Sequence, residues 1–197
     1  QNGIQMDTES GLVYSPSHFT WMDTNYPAGT PRRGYPTEIQ ALWHKGLQVP
    51  DSLSKAKAYR ELASTVKASV REHFFIDGAK HLSDCLHSQS FVPAAQAQAD
   101  DAIRCNQLFA VTRDLVDKEK AIDILESSEQ RLMPGAIRSL ADQEVSYPLP
   151  VYGNSAQVLN HPHKPYWGHY EGDEDTRRKP AYHNGTAWSW PFPSYSD

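Results

Sequence analysis

Several features that mark other classes of protein are scarce or missing in this sequence of 197 residues. The two cysteines, Cys85 and Cys105, are too few for a disulfide framework, and we expect both to be buried or half-buried thiols of a reducing compartment. No apolar run approaches the roughly 18–20 residues that a membrane helix needs. No secretory signal is visible either. These absences favour a cytoplasmic protein without a membrane segment.

An excess of positive charge is also missing. The formal net charge is −5 and no basic stripe stands out, which makes nucleic acid and anionic membranes poor partners. The sequence has no glycine-rich phosphate loop, no C-x-x-C and no G-x-S-x-G. The spacing of His161 and His163 with scattered acids matches no metal-ligand template. We therefore predict neither a cofactor nor a metal site.

Aromatic residues, by contrast, are abundant. The five tryptophans and ten tyrosines concentrate in residues 14–43 and 147–195, interleaved with proline, asparagine, aspartate, arginine and histidine. Such a surface suits stacking on flat, hydroxyl-rich ligands such as sugars. The alternative is that these rings pack the interior of long loops.

Hydrophobic periodicity predicts helices separated by long connections. The first helix begins at residues 36–38 and ends near residue 50, and the second runs from Asp51 or Ser52 to Phe74. The third opens at Asp100 or Asp101, the fourth covers residues 121–132, and a last one opens at Thr186 or Ser189. Residues 75–84 could form a small hairpin, and residues 135–185 are mostly irregular. Loops of that length are usually functional when they are rich in aromatics.

Two clusters of residues could carry chemistry. The first places Asp23 beside Trp21, followed by Arg32 and Arg33 and then by Glu38 at a helix start. A carboxyl group set against an aromatic ring in a dry cleft has its ionised form desolvated, which raises the pKa and suits a general acid. The alternative for Asp23 is a loop aspartate that accepts backbone hydrogen bonds.

The second cluster surrounds the turn at Gly185, where Tyr182, His183 and Trp188 lie close in sequence. Its alternative interpretation is a packed helix N-terminus. A third charged stretch, residues 170–179, combines acids with bases and is best interpreted as a solvated loop.

Several motifs resemble, in family order, those of the amylo-α-1,6-glucosidase domain of bacterial-type glycogen-debranching enzymes. The motifs are Phe19-Thr-Trp-Met-Asp23, Thr30-Pro-Arg32, Pro36-Thr-Glu38-Ile-Gln-Ala-Leu-Trp43, Asp100-Asp-Ala-Ile-Arg-Cys-Asn-Gln107, Pro134-Gly-Ala-Ile-Arg138, Tyr166-Trp-Gly-His-Tyr-Glu-Gly172 and Ala181-Tyr-His-Asn-Gly-Thr-Ala-Trp188. The resemblance covers nearly the whole chain. Cys105 stands where the family pattern has proline.

The resemblance implies an all-α fold, part of an (α/α)6 toroid with long aromatic-rich loops on one face. Residues 1–197 would then be a partial glucosidase domain that lacks its first helices and its C-terminal end. The family acid falls on Asp23, and the general base is expected beyond Asp197, so this portion alone should be inactive. The implied substrate is a glucose stub on an α-1,6 branch of glycogen or another branched α-glucan, hydrolysed with inversion.

Eight further residues are predicted to bind the sugar. Arg32, Arg33, Glu38, Arg138 and His183 would contact hydroxyl groups, and Trp21, Trp43 and Trp188 would form stacking walls. Two alternatives stay open at this stage. One is another (α/α)6 glycosidase, glucoamylase-like or trehalase-like, and the other is a truncated, inactive carbohydrate-binding fragment.

Overall fold

The computed structural model describes residues 3–24, 30–49 and 52–196. Helices and short strands are interspersed along this part of the chain. The α-helices are α1 (Thr37–Leu47), α2 (Ala56–His73), α3 (Leu108–Thr112), α4 (Lys118–Ser128), α5 (Lys179–Tyr182) and α6 (Pro193–Ser196). Short 3-10 turns occur at Ala94–Gln96, Cys105–Gln107 and Glu129–Arg131, and a π-helical turn, Glu174–Arg178, leads directly into α5.

The strands are short and form three antiparallel sheets among the described residues. The first sheet pairs β1 (Gln5–Met6) with β2 (Val13–Tyr14). The second has the order β3 (Gly34–Pro36), β4 (Cys85–His87), β5 (Gln98–Ala99), and the third the order β6 (Leu132–Met133), β7 (Ala136–Arg138), β8 (Ala187–Trp188). The third sheet joins positions about fifty residues apart, because Arg138 pairs with Ala187.

The prediction of an all-α fold is wrong, and with it the assignment to part of an (α/α)6 toroid. The structure is mixed, because the long connections contribute three small sheets. Buried backbone N–H and C=O groups must find hydrogen-bond partners, and outside the helices these connections find them in each other. Strands of two or three residues are too short to show an alternating hydrophobic pattern, so hydrophobic periodicity does not indicate them.

The individual helix predictions had mixed outcomes. The first helix is confirmed, since α1 covers Thr37–Leu47. The second was placed too early, because α2 begins at Ala56; Asp51, one of its two predicted caps, lies outside the described residues. The hairpin of residues 75–84 is present as an antiparallel bridge between Phe75 and Leu82.

The third and last helices were predicted with wrong boundaries. Residues 100–104 are not helical, because the Asp100 carboxylate accepts the Asp84 N–H at 2.8 Å and Arg104 bridges to Leu140. The helix α3 therefore begins only at Leu108. Near the end of the chain, Ala187–Trp188 forms β8, and the helix α6 follows at Pro193.

One main hydrophobic core holds these elements together. It combines residues of the two long helices, such as Ala41, Val66 and Val70, with residues from the strands and from the region of α3 and α4. Cys85 and Cys105 are both free and fully buried, as predicted. Among the described helices, none has the length and apolar character required to cross a bilayer.

Candidate active site

The segment that carries Asp23 is anchored by the two residues before it. Met22 is fully buried, and Trp21 is half-buried and donates its indole N–H to Asn106 Oδ1 at 2.6 Å. Asp23 follows immediately and is exposed to solvent. The desolvation that the sequence suggested for this carboxyl is therefore not supplied by the described part of the chain. What the structure provides is an accessible carboxyl group on a fixed segment.

A cluster of aromatic rings surrounds Trp21. Its ring meets His183, Trp188 and Trp190 edge-on, with centroid separations of 5.2, 6.0 and 4.9 Å. Tyr182 in turn packs edge-on against Trp188 at 4.6 Å. The structure thus brings together Trp21, His183 and Trp188, three of the predicted site residues from opposite ends of the chain.

A buried network of charges lies behind Trp21. Arg32 donates to both oxygens of Glu38, at 2.6 and 2.8 Å, and its Nε lies 2.7 Å from Asp84 Oδ2. Asn106 donates its amide N–H to Asp84 Oδ1 at 2.7 Å. Because a carboxylate only accepts hydrogen bonds, Asp84 fixes the Asn106 amide so that its oxygen points to Trp21. The network therefore orients the indole ring and the segment that ends in Asp23.

Arg104 closes this network on its other side. Its Nε lies 3.5 Å from Asp84 Oδ2, and its remaining groups donate to the His183 carbonyl and, at 2.9 Å, to Asn184 Oδ1. Burial opposes the charge of Arg32, but the neighbouring carboxylates of Asp84 and Glu38 raise its pKa. For Arg104, burial instead lowers the pKa, against the opposing effect of the Asp84 carboxylate. Both arginines are largely occupied by protein partners.

His183 is held as a neutral imidazole. Burial, together with the nearby Arg104 and Arg32, lowers its pKa to about 3. Its Nδ1 lies 3.2 Å from Thr30 Oγ1, and its Nε2 is buried without a hydrogen-bond partner in the described part of the chain. With an exposed fraction of 0%, the side chain supports the Trp21 ring rather than facing solvent.

The other predicted site residues are spread around these features. Glu38 is buried, and both of its oxygens are used by Arg32. Arg33 is exposed and donates to the Gln89 carbonyl at 2.7 Å. Arg138 lies next to β8 and donates to the carbonyls of Gly168 and Gly185, both at 3.4 Å.

Trp43 lies on α1, where its indole N–H donates to the Gly11 carbonyl at 3.1 Å and its ring packs against the main core. These contacts pack Trp43 against the main core beneath α1. The rings around Trp21, by contrast, belong to the C-terminal segment. Its role as a stacking wall stays a prediction.

A cavity of about 620 Å³ opens next to the buried charges of Arg32, Asp84 and Arg104, and none of residues 18–24 lines it. It is lined by Ser17, Thr30–Arg33, Asp84, His87–Gln89, Arg104, Tyr147–Pro150, Tyr152, Val158 and Pro162. Thr30, which lines the cavity, donates its N–H at 3.2 Å to the carbonyl of Thr24, the residue after Asp23. The volume falls within the range of about 300–1,000 Å³ that small-molecule sites occupy.

Sequence reasoning missed the residues that organise this region, namely Asp84, Arg104, Asn106 and Tyr147. Asp84 was placed in a possible hairpin, and Arg104 and Asn106 entered only as parts of a motif. A signal was present, because a buried polar run such as Arg104-Cys-Asn-Gln107 requires partners elsewhere in the chain. Across residues 3–24, 30–49 and 52–196, no group of three or more histidines, cysteines or acids could hold a metal ion.

The model of a protein family described as amylo-alpha-1,6-glucosidase matches residues 1–197, the whole of the chain. No curated protein matches the sequence.

Proposed function

The chain belongs to the amylo-alpha-1,6-glucosidase family, and we propose that it supplies the general acid, Asp23, for removing single α-1,6-linked glucose units from glycogen or limit dextrin. Membership of the family makes the chain a glycoside-hydrolase-type domain related to glycogen debranching, acting on a glucan. Beyond family membership, we propose the reaction, its inversion of the anomeric centre and the roles of individual residues.

The position of Asp23 is the observation that supports the proposal best. Its carboxyl group is exposed to solvent, yet the two preceding residues are fixed by burial and by the hydrogen bond from Trp21 to Asn106. A general acid needs this combination, because it must reach the leaving oxygen and must also be held in one place. Binding of a sugar against the neighbouring rings would then exclude water from the carboxyl group.

In the proposed reaction, protonated Asp23 gives its proton to O6 of the glucan as the bond to the glucose unit breaks. A second carboxylate on the opposite face of the sugar removes a proton from the attacking water. In an inverting enzyme the two carboxyl groups stand about 6.5–9.5 Å apart to admit that water.

Support for sugar binding comes from the aromatic cluster. Trp21 and Trp188, whose rings meet at 6.0 Å, are the proposed stacking walls. Arg33 and Arg138 are the proposed hydroxyl contacts, because neither is fully buried. For Arg32, Glu38 and His183, we propose a supporting role, since each is at most 3% exposed.

The anomeric form of the released glucose tests the proposal. A protein that contains this chain together with the expected base is incubated with a limit dextrin carrying single-glucose branches, and the product is followed by proton NMR. We expect β-glucose first, which then equilibrates to the α form. Initial release of α-glucose would contradict inversion, and release of glucose only from linear α-1,4 chains would favour the glucoamylase-like alternative.

A further inference from the structure

One amide group holds the segment of Asp23 on its N-terminal side. Asn106 accepts the indole N–H of Trp21 at 2.6 Å, and its side-chain nitrogen lies 3.5 Å from the sulfur of Met22. The two residues before Asp23 therefore share one anchor. A segment that is fixed at one end can still pivot, so a carboxyl group that keeps one position needs a second anchor after it.

Thr30 provides contacts on the C-terminal side of Asp23. Its backbone N–H donates at 3.2 Å to the carbonyl of Thr24, the residue that follows Asp23. Thr30 is only 6% exposed, whereas Asp23 itself is exposed to solvent. The contact thus ties the segment of an exposed carboxyl group to a buried residue and supplies the second anchor.

The position of Thr30 is fixed in turn by His183. Oγ1 of Thr30 lies 3.2 Å from Nδ1 of His183, and both residues are buried. Burial lowers the pKa of His183 to about 3, so the imidazole is neutral and Nδ1 carries either a proton or a lone pair. A hydroxyl group suits both states, because it can donate as well as accept. Thr30 therefore links Thr24 to the C-terminal part of the chain through one backbone contact and one side-chain contact.

From these contacts we infer that Thr30 is a positioning residue, which holds Asp23 in place for proton transfer through the Thr24 carbonyl. The inference rests on the proposed function for the role of Asp23, and it adds a residue whose hydroxyl group takes no part in the reaction itself. Thr30 also lines the cavity of about 620 Å³, so direct contact with a ligand is the alternative role. Its Oγ1 is engaged by His183, which favours positioning.

Thr30→Val tests the inference, because valine has nearly the same shape as threonine but no hydroxyl group. The variant is made in a protein that contains this chain together with the expected base, and glucose release from limit dextrin is measured. A displacement of about 1 Å can cost about 10²-fold in rate, and we expect kcat to fall by about tenfold while KM changes by less than about twofold.

Two further variants isolate the hydroxyl group. Thr30→Ser keeps it and should retain most of the wild-type kcat. Thr30→Ala, compared with Thr30→Ser, removes only the hydroxyl oxygen, and this pair takes the place of Thr30→Val if the valine variant does not fold. Circular dichroism and thermal melting check the fold of each variant.

A double-mutant cycle shows whether the loss passes through Asp23. In the Asp23→Asn background the acid proton is already gone, so adding Thr30→Val should cause no further loss on limit dextrin. A merely structural defect would lower the rate by the same factor in both backgrounds. The matched control is Thr112→Val, since Thr112 is a half-buried threonine of α3 whose hydroxyl group donates to the Leu108 carbonyl at 3.3 Å. This control should leave both rates unchanged.

Hydrogen exchange of the Thr30 amide measures the backbone contact without turnover. That amide donates to the Thr24 carbonyl, so its exchange should be faster in Thr30→Val than in Thr30→Ser. Equal exchange in the two folded variants would contradict the link between the Thr30 hydroxyl group and the Thr24 carbonyl.

The inference is also overturned by wild-type kcat in a folded Thr30→Val variant, by equal losses in the two backgrounds, or by a loss in Thr30→Ser as large as that in Thr30→Val. Its failure can be told apart from failure of the proposed function. A large loss in Asp23→Asn together with wild-type kcat in Thr30→Val would remove the positioning role and leave the acid. Full activity of Asp23→Asn would overturn the proposed function, and the inference with it.

Discussion

Gly34 shows how strongly one residue can be constrained in this structure. It begins β3 with a backbone φ of +134°, a conformation that residues with a side chain rarely adopt. A Cβ atom added there would lie 1.9 Å from the carbonyl oxygen of Leu86 on the neighbouring strand β4. Close approach of the two strands therefore requires glycine. The close approach also brings the two arginines that precede β3 to residues on either side of β4. Arg32 donates to the Asp84 carbonyl, and Arg33 donates to the Gln89 carbonyl.

Gly34→Ala should accordingly destabilise the fold. Backbone strain alone costs about 1–3 kcal/mol, and the contact with Leu86 adds to it. Gly46→Ala is the matched control, because Gly46 lies in α1 and a Cβ there would meet no atom within 4 Å. Alanine in a helix should be neutral or stabilising by up to about 1 kcal/mol. Urea denaturation measures both, and equal stability of the two variants would contradict the constraint at Gly34.

Asn106 illustrates a second constraint on a single residue. Its amide connects the acceptor Asp84 to the donor Trp21, with distances of 2.7 and 2.6 Å. Asparagine fits because it offers a donor and an acceptor on one planar group. The motif that contains it was recognised from the sequence, but its partner Trp21 lies 85 residues earlier in the chain. Pairings over such distances leave no local pattern.

At the scale of elements, long helices were easier to predict than the structure of the connections. The start of α1 was predicted within one residue, because Glu38 marks its first turn, whereas its end at Leu47 lies three residues before the predicted end near residue 50. The hairpin around Gly78 was also foreseen from its Asp-Gly turn. Both features depend on neighbours within a few residues, and such local signals are the ones a single sequence carries.

The pairings of β3 with β4 and of β7 with β8, together with the start of α3, depend on distant partners and were missed. The pairing of β7 with β8 spans about fifty residues. Asp100 was interpreted as a helix cap, but it accepts from Asp84 and His87 of the neighbouring strand region. An aspartate can cap a helix or join a buried hydrogen-bond network through the same carboxylate, and only tertiary contacts decide which of the two roles it has. The same applies to the candidate site, where the family motifs include Arg32, Glu38 and Asn106 but do not show that Asp84 joins them in one network.

For the whole molecule, buried and half-buried histidines determine how the free energy of unfolding responds to mild acid. Burial lowers the pKa values of His18, His44, His81 and His183, and that of His183 falls to about 3. In the unfolded chain a histidine has a pKa of about 6.5. Below that pH the unfolded state binds protons that the folded state does not, so acidification favours unfolding. Stability should be complete above about pH 7 and decline as the pH falls.

We therefore expect the free energy of unfolding to fall between about pH 7 and pH 5.5, with each neutral buried histidine contributing up to about 1.4 kcal/mol per pH unit. Urea denaturation at several pH values measures this slope. His183→Gln removes one titrating group while keeping a polar side chain, so its slope should be shallower. A stability that is independent of pH, or an equal slope in the variant, would contradict the neutral state assigned to His183.

The central claim is that Asp23 donates a proton to the leaving oxygen. Asp23→Asn keeps the size and much of the hydrogen-bonding capacity of the side chain but has no acid proton to give. General acid catalysis contributes about 10²–10⁴-fold, so glucose release from limit dextrin should fall by about that factor. An α-glucosyl fluoride has a good leaving group and needs little protonation, so its hydrolysis should fall much less.

The ratio of these two losses is therefore the measurement that tests the account most directly, made in a protein that includes the expected base. Asp77→Asn, another exposed aspartate but located in the hairpin of residues 75–84, is the control and should change neither rate. A large loss on limit dextrin with a small loss on the fluoride is the predicted result. Equal losses on the two substrates, or full activity of Asp23→Asn on limit dextrin, would contradict the role of Asp23 as the acid.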